Sequence, residues 1–216
     1  MAIAFDQQGY GTAFPGSSAT ASCTVSASNT TIVVFATCQN GVSFTGMSRN
    51  GVNFTLVTTE YVIANGSGAT NRVRMYVLPN ADVGTYNIVM SCSGSNYMAF
   101  GFVTYTGTAT TWTGNFAQFT ENNGISATRN LTIGTNNSWG VIMGQPNGTT
   151  TAGSGTVQRH STIGWMGDSN SALSTGTTTL NVNQTPTGWN CYGTVEIQPQ
   201  GGTAPTANPA FLLNFI

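Results

Sequence analysis

The stretch NRVRMYVLPNADVGTYNIVMSCSGSNYMAFGFVTYTG, residues 71–107, decides the fold class. In its opening run Val73, Met75 and Val77 alternate with Arg72, Arg74 and Tyr76, the period of two that belongs to a strand rather than a helix. Pro79-Asn80-Ala81-Asp82 follows and reads as a turn, because proline presets φ and the Asn and Asp side chains bond their own backbone. Beyond it Tyr86, Ile88 and Met90 share one face of a second strand, and 96–106 reads as a third. Strand, turn and strand in such close succession imply antiparallel pairing with one wet face.

The same grammar extends outward in both directions. Strands are expected over 19–27, 31–38, 42–49 and 52–58 on the N-terminal side. On the C-terminal side they are expected over 129–134, 138–145, 156–166, 177–183 and 189–198. Asn50-Gly51 between two such runs is a hairpin signal, since both turn residues need positive φ. Residues 107–124 read as the longest irregular connection and 148–155 as a flexible loop. No ten-residue stretch carries a helical period. The expectation is an all-β antiparallel β-sandwich, jelly-roll-like, over residues 1–199, and 216 residues suit one such domain with an appendage.

Composition narrows the function classes. Charged residues are 5% of the chain, against about 25% in an average soluble domain. There is no lysine, and the cations are Arg49, Arg72, Arg74, Arg129 and Arg159. A net charge of -1 supplies no footprint for nucleic acid and no basic face for a membrane. Disorder is not implied either, because 39% of the residues are hydrophobic and 10% aromatic. Polarity comes from Thr, Asn, Ser and Gly, which suits pili, fibres and capsids, where copies must approach without charge repulsion. No run reaches the roughly 20 apolar residues that span a bilayer. The start MAIAFDQQGYG lacks the basic and long apolar regions of a signal peptide. A virion component made in a host cytoplasm fits that combination.

Cys23, Cys38, Cys92 and Cys191 allow three disulfide pairings, and their spacing chooses none of them over buried thiols. With no CxxC spacing and a single histidine, no metal or other cofactor is expected. His160, Ser161 and Asp168 invite a triad reading, but a Ser next to a His on a strand points to the opposite face and no GxSxG elbow is present. Glu60, Asp82, Glu121 and Asp168 read as single acids in turns or loops rather than a glycosidase pair. No catalytic residues are assigned, and the chain is not expected to be an enzyme. Trp139, Trp165 and Trp189 fall in strands and read as core. Trp112, in the polar loop TTWTGNF with Phe116, is the tryptophan that could contact a cell-surface glycan, although a loop anchor is the commoner use.

The runs NTTIVVFAT, SRNGVNFTL, RMYVLPNADVGTYNIVMS and AFGFVTYTG, followed in order by RNLTIGTNNSWGVIMG, IGWM and WNCYGTVEIQP, resemble a family of β-sandwich modules found in phage virion proteins and bacterial surface proteins. The similarity spans residues 15–198 and lies in the order and spacing of strands and turns. It implies a jelly-roll-like structural or adhesive module, with no shared catalytic residues to carry over.

Outside that similarity the character of the chain changes. Residues 200–209, QGGTAPTANP, read as a semi-extended linker. Residues 210–216, AFLLNFI, are apolar at all positions but one. In an extended strand Phe211, Leu213 and Phe215 would face one way, with Leu212, Asn214 and Ile216 opposite. Burying a Phe or Leu is worth roughly 1.5–3 kcal/mol, so leaving this segment in water would forgo ~10 kcal/mol. It is expected to form a subunit interface through Phe211, Leu212, Leu213, Phe215 and Ile216. The sequence thus points to a self-assembling subunit or decoration protein of a virion or extracellular filament, partnered by its own copies or by other virion proteins. The alternative is a carbohydrate-binding or host-adhesion module.

Overall fold

The computed structural model describes residues 1–39, 41–64, 70–122, 126–146, 148–185 and 190–201. The order of layers follows from β2 (Thr31–Gln39), whose residues Thr31–Cys38 are all buried. A strand that is apolar or β-branched on both faces needs a partner layer on each side. Ile32, Val34, Ala36 and Cys38 enter one core while Val33 and Phe35 enter another.

Two long strands build the first core. β1 (Ala4–Val25) pairs antiparallel with β8 (Gly84–Thr106) along nearly its whole length. Register shifts at Ala13/Gly16 and Gly16/Ser18 bend the ribbon, as bulges do where strands pass from one layer to the next. Beyond the bend, Ser18–Val25 and the first half of β8 join β3 (Phe44–Arg49) and β4 (Val52–Asn53). Before it, the second half of β8 pairs with β2. β2 in turn pairs with β7 (Thr70–Leu78), which carries β5 (Thr55–Leu56) and β6 (Tyr61–Ala64). This single sheet therefore folds over itself, with Cys23, Met47, Ile88 and Met90 facing Val34, Phe100 and Phe102.

The outer face of the β2–β7 layer rests on a second sheet of order β13-β14-β11-β16-β9, formed by β9 (Phe116–Asn122), β11 (Trp139–Gln145), β13 (Val157–His160), β14 (Trp165–Asp168) and β16 (Asn190–Ile197). Between them Phe35, Met75 and Tyr105 meet Val141, Met143 and Val195, and Phe35 stands edge-on to Phe119 at 6.0 Å. A third sheet, of β10 (Ser126–Ile133), β15 (Gly176–Thr185) and β12 (Thr149–Ala152), covers the far side. Leu131, Leu180 and Val182 there pack on Trp165 and Tyr192. The chain is an antiparallel, sandwich-like all-β protein of four layers around three cores, and among the described residues there is no helix.

The fold class matches the sequence reading, and so does the Asn50-Gly51 hairpin: both residues have positive φ and Arg49 opposes Val52. Several local expectations differ. Strand structure begins at Ala4, in the glycine-rich QQGYGTAF that carries no alternation, because β8 offers it a ready pairing edge. The runs 84–92 and 96–106 are one strand. The presumed loops 107–124 and 148–155 contain β9 and β12. The run 156–166 breaks into β13 and β14 around a turn at Gly164, whose φ is +66°. β7 has no wholly wet face, since Tyr76 and Leu78 enter the first core. Trp189 and residues 202–216, including Phe211, Leu212, Leu213, Phe215 and Ile216, lie outside the described residues.

Candidate functional site

The described body engages its few arginines within the fold. Arg49, almost wholly buried, donates to the carbonyls of Asp82 at 2.9 Å and Gly84 at 2.7 Å and lies over the Tyr86 ring. Arg72 and Arg74 both pair with Glu60, the latter at 3.1 Å. Arg129 donates to the Tyr192 carbonyl at 3.0 Å, and burial pushes its pKa down. Arg159 completes the set with Asp168. All five cations of the chain are thus engaged within the fold, and the exterior carries hydroxyls and amides together with exposed Asp82, Tyr10, Phe14 and Val83.

Asp168 is not an acid in a turn. It ends β14, is fully buried, and receives Arg159 through Nε at 2.8 Å and Nη2 at 3.1 Å. Tyr105 Oη donates to the same carboxylate at 2.9 Å and the Asn170 amide at 2.8 Å. Burial, first, and the neighbouring Asp168 charge, second, push the Tyr105 phenol well up. The guanidinium also lies 4.5 Å from the centre of the Phe5 ring. The bidentate pair joins β13 to β14 within one sheet, and the Tyr105 hydrogen bond and the Phe5 contact tie that sheet to β8 and β1.

His160 is turned away to its own partners. Nδ1–H donates to Gln8 Oε1 at 2.6 Å, and Nε2 accepts the Ile163 amide at 3.0 Å. Burial holds its pKa down at about 4. The neutral ring is a fixed strut between β13 and β1, and no Asp168–His160 contact joins a triad.

Glu196 shows the same economy at the other end. Oε1 takes the amides of Gly134 and Thr135 at 3.1 and 3.0 Å, and Oε2 takes the Asn115 amide and side chain at 3.0 and 3.2 Å. The carboxylate pins the segment before β9 and the turn after β10. Trp112 donates Nε1–H to the Glu196 carbonyl at 2.9 Å and packs at the margin of the second core. It is half-buried, and Phe116, 6.4 Å away centre to centre, is exposed. The geometry of Trp112 is that of a loop anchor.

All four cysteines are buried. Cys38 and Cys92 lie side by side, and the hydrogen bond between them, with burial, pushes the Cys38 thiol well up. Burial raises the Cys23 thiol as well, against the opposing pull of Arg49. Among the described residues no three His, Cys, Asp or Glu side chains group as a metal site. No helix among them is long and apolar enough to cross a membrane.

A mostly apolar cleft of about 610 Å³ opens beside the last described residues. Ile3, Trp139, Ala172 and Pro199 line it, with Asn136 and Asn137 at the edge. Its walls are fastened by backbone hydrogen bonds. Gln200 N–H donates to the Gly107 carbonyl at 2.8 Å, and opposite it Asn137 and Leu173 N–H donate to Leu173 and Ser138 carbonyls at 2.8 Å. Trp139, beneath, stands edge-on to Tyr105 at 5.9 Å. Sequence reasoning missed this cleft, because it is assembled from residues 1–3, 135–137, 139, 172 and 199–201, which no local pattern links. Comparison with known protein families, with curated proteins and with solved structures finds no match to this chain.

Proposed function

We propose that this protein is a structural, self-associating subunit or decoration protein of a phage virion or an extracellular filament, working outside a cell. One observation carries the reading. The described strands, none extending past Ile197, supply both walls of all three cores. The sequence adds to them a further apolar run, AFLLNFI at 210–216, whose side chains favour burial against another surface. The low charge content of the chain, 5% of its residues, supports it, since copies that carry few charges meet with little repulsion. The similarity in strand order to phage and bacterial surface modules points the same way.

The test is solution mass by light scattering, with negative-stain imaging, of the full chain beside a chain ending at Thr206. Large regular assemblies from the full chain, and a folded monomer from the shorter one, are the expected pair of results. Equal monomers from both would end the proposal. The adhesion reading would then turn on Phe116 and a titration with glycans.

A further inference from the structure

Resting on that self-association reading, we propose that the cleft beside Gly201 is the acceptor site for residues 210–216 of a second copy of this chain. Chemistry matches first. No side chain of the cleft is charged and most of its wall area is apolar, with Thr135, Asn136, Asn137, Gln200 and the amino terminus of Met1 as its polar groups, and the side chains of AFLLNFI are likewise apolar except for Asn214. Size matches next. A volume of about 610 Å³ lies in the ~300–1,000 Å³ range of cavities that bury a substantial ligand. It suits the three side chains that share one face of an extended segment, Phe211, Leu213 and Phe215, rather than all seven residues. The hydrogen-bonded walls are already formed, so little ordering opposes entry.

The sequence between the cleft and the segment favours a neighbour's segment over the cleft's own. Gly201 is itself part of the wall. The following residues 202–209, GTAPTANP, contain Pro205 and Pro209 and favour an extended backbone of about 3.1 Å per residue, a reach of ~25 Å. A stiff, extended linker disfavours the tight reversal that return to the adjoining cleft would need, and favours reach to the next copy. Each copy then offers one segment and one cleft, the head-to-tail arrangement that produces rings or filaments.

The test mixes full chains carrying Ala172→Cys with full chains carrying Phe215→Cys under mild oxidation. Ala172 is exposed at the rim, so its replacement leaves the cores intact. A cross-linked dimer in the mixture, absent from either variant alone, is expected. In a companion measurement, Ala172→Asp should raise the concentration of half-assembly ~tenfold or more, as should Phe211→Asp, while Asn214→Asp should leave it within about threefold. Assembly that persists unchanged in Ala172→Asp, with no mixed cross-link, overturns the cleft while self-association stands. A chain carrying both cysteines that cross-links only within itself, at monomer mass, overturns the intermolecular assignment. Absence of assembly in the unsubstituted chain overturns the reading on which the cleft rests.

Discussion

Asp168 collects a guanidinium, a phenol and a backbone amide in a place with no access to water. Replacing it with Asn keeps the shape but sets an NH2 against donors and leaves Arg159 without a countercharge. Asp168→Asn is expected to cost about 3 kcal/mol in a urea titration, whereas a loss below ~1 kcal/mol would show that the pair contributes little. His160 gives the fold a pH dependence of determinable sign. Its folded pKa of about 4 lies below the ordinary 6.5. The unfolded chain therefore binds the extra proton first as pH falls. The contribution is fully present above pH ~6.5, declines down to pH ~4, and changes no further below that, for a total of about 3 kcal/mol. Comparing urea midpoints of the protein and of His160→Gln across pH 4–7 isolates this from the carboxylates. Parallel curves would contradict it. Neither role was legible in the sequence. Arg159, His160 and Asp168 can be seen to be close in the chain, but Tyr105 and Gln8 are brought to them by pairing between distant strands.

At the level of elements, what could be read was whatever the chain states locally. The alternation of β7, the Asn50-Gly51 turn and the continuous run of β2 all appear as strands and turns where expected. Of β1 the part from residue 19 onward was expected as a strand, but residues 4–18 were not, since their glycines serve contacts rather than periodicity. Gly9 and Gly11 lie under the rings of Phe102 and Phe100, where a Cβ would come within 2.5 and 2.7 Å. Gly101 makes the corresponding space on β8: a Cβ there would sit 2.8 Å from the His160 ring and from the Ile163 carbonyl. That gap lets the β13–β14 turn settle onto the second layer. Gly101→Ala should lose about 1–3 kcal/mol through displaced packing, measured by the shift in urea midpoint. A variant as stable as the parent would mean that the turn yields freely.

For the whole molecule, the number of layers lay beyond sequence reach. A strand buried on one face and a strand buried on both differ only in how apolar their alternate positions are. Arg72, Arg74 and Tyr76 made β7 look half-wet when Glu60 and the first core cover that face. The apolar segment 210–216, by contrast, declared itself by composition alone. An association that buries apolar side chains between nearly uncharged bodies should not weaken with ionic strength, since there is little charge attraction to screen. The most direct measurement is therefore the light-scattering mass of the full chain across concentration, at low and at high salt. The account predicts mass rising to multiples of 22.5 kDa at both salt levels, with the rise abolished by Phe211→Asp combined with Phe215→Asp. A mass that stays at 22.5 kDa at every concentration would contradict it.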